Sequence, residues 1–262
     1  EFLVPGRIFG DYIRNISDNG SDISLEITDE NRLVISSANS ECNIGILDAD
    51  DYPEVESING ASYFAVQELN LKEIINNVIF AVATDDSRPM LKGVHFEAKE
   101  YTLSAVATDG YRFAMSKKVL EEKVDEISAT IPSRSLSELS KLLTDGDNVL
   151  KVFIENNYLM VAMENTKLYT RLLGGQYIKY DNIVPKDFLS TLLVDKETFE
   201  KALNTASIMS RSEKNNLVVF NIEEYNMNIS STSQYGTAKE NVTISLSGKA
   251  VRCADKSRDI NA

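Results

Sequence analysis

A repeat of about 127 residues constrains this chain more than any other feature. Phe2-Leu3-Val4-Pro5-Gly6-Arg7-Ile8-Phe9, running on to Ile13-Arg14-Asn15-Ile16, reads like Ala129-Thr130-Ile131-Pro132-Ser133-Arg134-Ser135-Leu136, running on to Leu139-Ser140-Lys141-Leu142-Leu143. Pro5 and Pro132 stand 127 positions apart. Each copy then passes an acidic turn, Asp18-Asn19-Gly20 or Asp145-Gly146-Asp147. Two alternating stretches follow, Ile23–Ile27 with Leu33–Ser36 and Leu150–Ile154 with Leu159–Ala162, and a Tyr-containing loop closes each copy, Asp51-Tyr52-Pro53 or Gln176-Tyr177-Ile178. A second pair interleaves with the first. Phe64-Ala65-Val66 leads into apolar residues at helical spacing (Leu71, Ile74, Ile75, Val78, Ile79), and Leu192-Leu193-Val194 leads into Phe199, Ala202, Leu203 and Ala206. Val66 and Val194 are 128 positions apart. Paired strands are expected after each helix: Val94–Phe96 with Thr102–Ala107, and Val218–Ile222 with Met227–Ser231. Self-similarity at a fixed period marks a duplicated architecture. The chain therefore reads as alternating half-units, each a helix followed by antiparallel strands, which makes it an α+β protein. On this reading residues 1–63 form half a unit, 64–190 a whole unit, and 191–262 the start of a third.

Local signals support the elements. Asn70 followed by Glu73 resembles a capping box ahead of an apolar helix face. Thr108-Asp109-Gly110-Tyr111 places Asp-Gly between Ala105–Ala107 and Tyr111–Ala114, the pattern of a two-residue hairpin turn. The 262 residues are 43% hydrophobic, enough for a sizeable core, and no apolar run approaches the length of a membrane span. Glu1-Phe2-Leu3-Val4-Pro5 has neither the basic nor the apolar region of a signal peptide and no initiating Met, so a fragment is expected. Cys42 and Cys253 cannot build a disulfide framework or a four-ligand zinc site, which fits a reducing, cytoplasmic location.

Chemistry-bearing constellations are scarce. His95 is the single histidine and sits in the strand pattern Gly93–Glu97, where it reads as structural. Asp48, Asp50 and Asp51 lack the spaced ligands and glycine of a calcium loop, and Asp85-Asp86 likewise reads as a solvated acidic loop. There is no phosphate loop, dinucleotide fingerprint or nucleophile elbow, so no catalytic residue, metal site or cofactor is expected.

With 27 basic and 40 acidic residues the net charge is −13, which taken whole argues against nucleic acid. Its distribution argues otherwise. Helical segments 5–16 and 134–143 carry +1 each, segments 69–80 and 195–211 carry zero, and the remainder carries −15.

The stretch Val106-Ala107-Thr108-Asp109-Gly110-Tyr111-Arg112-Phe113-Ala114, the preceding Arg88-Pro89-Met90-Leu91-Lys92-Gly93-Val94, Ile131-Pro132-Ser133-Arg134 and Gln176–Pro185 together resemble the bacterial sliding clamp family, the beta subunits of DNA polymerase III. The resemblance runs in order over residues 2–250. It implies the DNA clamp fold, with helices lining a ring and sheets outside. Residues 1–63 would be the C-terminal half of clamp domain 1, 64–190 a complete domain 2, and 191–262 the N-terminal part of domain 3. It implies a non-catalytic processivity factor: a head-to-tail homodimer that encircles double-stranded DNA without sequence preference and tethers the replicative polymerase catalytic subunit. A clamp loader and other clamp-binding repair and replication proteins are the further partners implied, and no membrane. Matched residue by residue, the partner-peptide groove comprises Leu91, Thr108, Gly110, Tyr111, Arg112 and Phe113, with Ile178, Asn182 and Ile183 opposite. Leu91, Phe113 and Ile183 would form its apolar floor, and Arg112 its rim. Ile178 stands where many members have Pro, and Asn182 where some have Arg. Arg88 and Arg134 match DNA-proximal positions, joined by Lys141 on the same helix as Arg134 and by Arg7 as the repeat equivalent of Arg134. Beyond Gly248 the family expects Phe-Asn-x-x-Tyr, whereas Ala254-Asp255-Lys256-Ser257-Arg258-Asp259 stands here. An alternative reading is a clamp-fold interaction scaffold that no longer encircles DNA; an uncharacterised α+β enzyme is a third.

Overall fold

The computed structural model describes residues 1–16, 22–52, 58, 62–180, 183–211 and 216–256, in two compact units, Glu1–Ser57 and Ile58–Ala262. In the first unit, helix α1 (Gly6–Asn15) precedes an antiparallel sheet of β1 (Ser24–Thr28), β2 (Arg32–Ser37) and β3 (Ser40–Gly45), in that order. Leu33, Ile35 and Ile44 form its core, with Phe9, Tyr12, Ile13 and Ile16 packed against them. The expected pairing of Ile23–Ile27 with Leu33–Ser36 is present, with Leu25 opposite Ile35 and Ile27 opposite Leu33.

The second unit opens with β4 (Tyr63–Gln67), α2 (Glu68–Asn76), β5 (Gly93–Thr108) and β6 (Phe113–Pro132). Helix α3 (Ser133–Leu142), β7 (Val149–Glu155), β8 (Tyr158–Ala162) and β9 (Lys167–Arg171) follow. Strand β10 (Ser190–Val194), α4 (Lys196–Ser210), β11 (Leu217–Ile222), β12 (Asn226–Ser233), β13 (Gly236–Gly248) and β14 (Val251–Lys256) complete it. Every pairing is antiparallel, in sheets ordered β4-β7-β8-β9, β5-β6 and β10-β13-β12-β11-β14. The expected hairpins 150–154 with 159–162 and 218–222 with 227–231 are both formed. The expected pairing of Val94–Phe96 with Thr102–Ala107 is not formed: both lie in β5 and pair with β6, on either side of the register shift around Glu100, which takes a φ of 53°. One core joins Phe64, Val66, Leu71, Ile74 and Ile75 to Leu136, Leu139, Leu150 and Val152, so the two half-units of 64–190 share one interior. A separate core packs Leu203 and Ala206 of α4 on Val218, Phe220, Ile229 and Val242.

The duplication is visible in detail. α1 and α3 are each ten residues long and each follows an extended proline, Pro5 or Pro132. Each is closed by an extended apolar residue whose N–H bonds four positions back, Ile16 to Tyr12 and Leu143 to Leu139, at 3.1 and 3.0 Å. Fixed φ and a missing N–H make proline well suited to a helix start, where that donor has no partner.

Three expectations need correction. Asn70 does not cap α2, which begins two residues earlier because Glu68 is drawn inside. The buried Glu68 carboxylate accepts the Thr144 N–H at 2.7 Å and the Asn148 amide at 3.4 Å, and the Thr144 bond leads in holding its pKa below the usual 4.5. Asn70 instead donates to Gln67 Oε1 at 3.2 Å, and Glu73 pairs with Lys118. With the observed boundaries Glu68 joins the helix set while Asp195 and Arg211 leave it, so the four helices total +1 rather than +2. The Asp-Gly turn is a four-residue loop, since Thr108 pairs with Phe113. The unfamiliar tail beyond Gly248 begins as strand β14, paired with β11 from Val251–Ile222 to Lys256–Leu217. The turn at Asp18–Gly20, Pro53 and the last tail residues, Ser257–Asp259, lie outside the described residues.

Candidate functional site

The loop between β5 and β6 is held by its own side chains. Thr108, 5% exposed, accepts the Gly110 N–H through Oγ1 at 3.0 Å and donates that hydroxyl to the Arg112 carbonyl at 2.6 Å. Asp109 Oδ1 accepts the N–H groups of Tyr111 and Arg112 at 2.9 and 3.1 Å, and Oδ2 accepts Arg112 Nε–H at 3.2 Å. Burial would raise the Asp109 pKa, but these two N–H bonds and the guanidinium outweigh it and hold the carboxyl below its usual range. Gly110 supplies the positive φ of 94° that the loop requires, which side-chain-bearing residues adopt only with strain. Satisfying four backbone groups locally is what replaces the tight two-residue turn. Arg112 lies across the Phe80 ring, 5.5 Å from its centroid, so its guanidinium is spoken for on two sides; Tyr111 at the tip is 90% exposed.

A second segment, Leu172–Tyr180, crosses the start of β5. Leu173 N–H donates to the Thr130 carbonyl at 2.9 Å. Gly93 permits this crossing, because a Cβ there would lie 2.6 Å from the Ile131 carbonyl and 2.8 Å from Leu173. His95, 8% exposed, stacks on Tyr177 with centroids 4.7 Å apart and planes 4° off parallel. Its Nδ1 meets Thr130 Oγ1 at 3.0 Å and its Nε2 meets Glu97 Oε1 at 3.2 Å, while the Tyr180 hydroxyl donates to Glu97 Oε2. Burial pushes the Tyr177 phenol up to about 12. An open cleft of about 790 Å³ borders this segment, lined by His95, Glu97, Thr130, Asn157, Gly175 and Lys179 among others.

The two walls meet in one apolar cluster. Ala83, Leu91, Val106 and Tyr177 are buried, with Met90, Phe113, Ile178 and Tyr180 packed against them and the rings of Phe113 and Tyr180 5.9 Å apart. Of the expected floor, Leu91 and Phe113 are brought together here, joined by Ile178, whereas Ile183 is largely exposed. Leu91 differs from expectation in being 2% exposed: it supports the floor from beneath and offers no surface of its own. Ile183 is 54% exposed, one turn beyond Tyr180, whose carbonyl accepts its N–H at 2.8 Å. Asn182 lies outside the described residues. Arg88 joins this site: its guanidinium nitrogens come within 3.1 Å of where a Gly110 Cβ would sit. Arg7, Arg134 and Lys141 are exposed, on α1 and α3. The residues on those helices repeat at the 127 spacing, Arg7-Asp11-Arg14 and Arg134-Glu138-Lys141, cation, anion, cation at i, i+4 and i+7 on one helix face. Sequence reasoning missed Met90, Tyr177 and Tyr180 as members of the site. The two tyrosines three residues apart in Gln176–Pro185 were the available signal.

The neutral His95 has a thermodynamic signature. Burial holds its folded-state pKa below the ordinary 6.5, against the partial upward pull of Glu97. The unfolded chain therefore takes up this proton first as pH falls, and the stability it contributes, full above pH 6.5, is lost as pH drops towards the folded-state value. The melting temperature of wild type is expected to fall more steeply between pH 7 and pH 5.5 than that of His95→Phe, which keeps the stack on Tyr177 but cannot titrate. Parallel pH profiles in thermal denaturation would contradict this.

Known proteins place the chain. Family profiles for the N-terminal, central and C-terminal domains of the DNA polymerase III beta subunit match residues 1–56, 65–179 and 181–254 in turn. The beta sliding clamp of Streptococcus pneumoniae is 33% identical over 213 residues, 80% of this chain and 56% of that one. The clamp of Staphylococcus aureus is 31% identical over 241 residues, 92% of this chain and 63% of that one. This chain therefore spans less than two thirds of the length of either relative. The crystal structure of the sliding clamp from Bacillus subtilis superposes with a TM-score of 0.90 at 26% identity, covering 99% of this chain and 69% of that one. The S. pneumoniae beta chain gives 0.87 at 29%, with 99% and 69% covered. Among the described residues no group of three or more His, Cys, Asp or Glu is placed to hold a metal, and no helix is long and apolar enough to cross a membrane. Matched in order by all three domain profiles of one family and sharing its α+β clamp fold, the chain belongs to the DNA polymerase III beta subunit family.

Proposed function

We propose that the full-length protein is a sliding clamp, a ring closed by two copies around duplex DNA that tethers the replicative polymerase for processive synthesis. Residues 1–63, 64–190 and 191–262 are assigned to its first, second and third domains. The reading is of a cytoplasmic, non-catalytic subunit: tethering raises the local concentration of polymerase at the primer end and leaves its chemistry alone. The clamp loader and other replication and repair proteins are its further partners. The observation that carries the reading is the in-order match to all three clamp domain profiles. The repeated cation–anion–cation face of α1 and α3 supports it, because Arg7, Arg134 and Lys141 on exposed helix surfaces suit loose phosphate contacts that carry no sequence information. Arg88 is assigned to the same DNA-proximal set, at the edge of the groove. The Thr108–Phe113 loop, the Ile178 wall and Ile183, with Asn182 assigned by resemblance, are read as the groove for a short hydrophobic partner peptide, which would present aromatic and aliphatic anchors to the Leu91-backed floor. After loading by the clamp loader, the full-length protein is expected to stay on closed circular DNA in high salt and to run off once the circle is linearised. Equal release from both forms would assign it instead to a clamp-fold scaffold that does not encircle DNA.

A further inference from the structure

We propose that His95 and Glu97 of β5 act as a clasp that positions the Ile178 wall of the groove without contacting a bound peptide. The proposal rests on the peptide-groove reading and assigns that site two positioning residues.

An ionised Glu97 can only accept, so the His95 Nε2 facing it at 3.2 Å must carry the proton. The Nδ1 is then an acceptor, and the Thr130 hydroxyl, 3.0 Å away, is its donor. The second Glu97 oxygen takes the Tyr180 hydroxyl. One carboxylate thereby fixes both an imidazole and a phenol, 83 residues apart in sequence between Glu97 and Tyr180. Each fixed ring bears on the apolar cluster of the groove through a neighbouring ring. Tyr177 lies between the imidazole and the cluster containing Leu91 and Val106, and Tyr180 lies against Phe113. Ile178 stands between these two rings in sequence and packs on the same cluster. Leu172 and Leu173 are anchored through their N–H groups to the Asn157 and Thr130 carbonyls, but Gly174 and Gly175 follow, and residues 174–179 carry no helix or strand, so side-chain contacts set the wall beyond the glycines. A wall fixed before the peptide arrives spares binding the cost of ordering it.

Glu97 is suited to the test because its side chain is 42% exposed and its loss leaves no cavity in the core. In the full-length protein, Glu97→Ala is expected to weaken binding of a fluorescent Gln/Leu/Phe-rich peptide about tenfold, the scale of ordering one or two side chains. Amide exchange at Tyr177–Tyr180 should speed up while the melting temperature stays close to wild type. Glu97→Gln keeps an oxygen to accept the Tyr180 hydroxyl and presents its NH2 to His95 Nε2, which accepts it once the imidazole takes its other tautomer and donates Nδ1–H to the Thr130 hydroxyl; affinity should return to within about twofold, which a loss of general stability would not do. Ile178→Asp, placed in the groove itself, should abolish binding. Wild-type affinity in Glu97→Ala alongside loss in Ile178→Asp would overturn the clasp and leave the groove standing. Failure of Glu97→Gln to rescue, or unchanged exchange at Tyr177–Tyr180 in Glu97→Ala, would overturn it equally. Undiminished binding by Ile178→Asp would remove the groove reading and the clasp with it.

Discussion

Leu91→Ala is expected to destabilise the protein by about 2–5 kcal/mol, with a fall in melting temperature seen by thermal denaturation. At 2% exposure the side chain is packed among Ala83, Val106, Tyr177, Phe113 and Ile178. The cost combines the lost transfer of three carbons from water with the cavity left behind. An unchanged melting temperature would mean that the floor relaxes around the deletion, and that the packing described for this cluster does not hold in solution. The same burial makes Leu91→Asp a poor probe of partner binding. A carboxylate at that position would be stripped of water without a partner, so lost binding would report unfolding rather than lost contact. Substitutions at Ile178, Ile183 or Tyr111 test the groove cleanly because those side chains reach the surface.

The second large effect concerns salt. Each phosphate contact made steepens the fall of binding with salt by a slope of about 0.9 on a log–log plot. Neutralising both cations of α3 in the full-length protein, as Arg134→Gln with Lys141→Gln, is therefore expected to flatten the slope of DNA affinity against salt by about 1.8. Peptide binding at the groove should be unaltered. Glu138 pairs with Lys141 at 2.9 Å, so part of that cation is already compensated, and the measured change is expected on the low side. A slope that does not move would place α3 away from DNA.

Much of this was legible in the sequence because the repeat ties local pattern to global fold. The prolines ahead of α1 and α3 and the alternation in β1, β2, β7 and β8 are local signals, and each falls where the pattern puts it. Contacts made at long range were not legible. Glu68 looked like a residue before a helix and is its buried first residue, because its partners are Thr144 and Asn148, 76 and 80 positions away. His95 was read as merely structural, since its meaning depends on Thr130, Tyr177 and Tyr180 arriving from two other segments. Leu91 was expected on a groove floor and is buried beneath the surface instead, which spacing within a short turn cannot decide. The Asp-Gly pair was read as a two-residue turn by frequency, whereas Thr108 and Asp109 supply side-chain acceptors that favour the longer loop.

The β5–β6 loop has one more consequence, in conformational entropy. Fixing a residue's backbone costs about 1–2 kcal/mol, and Asp109 to Arg112 meet that cost when the chain folds, through bonds made by Thr108 and Asp109. A partner that closes on Tyr111 has only the side chain left to immobilise, a ring on two torsions and about 0.5–1.5 kcal/mol. The most exposed aromatic residue of the site is therefore mounted on a loop whose backbone is already tied by local hydrogen bonds, and it offers area to a ligand at low entropic cost whichever peptide arrives.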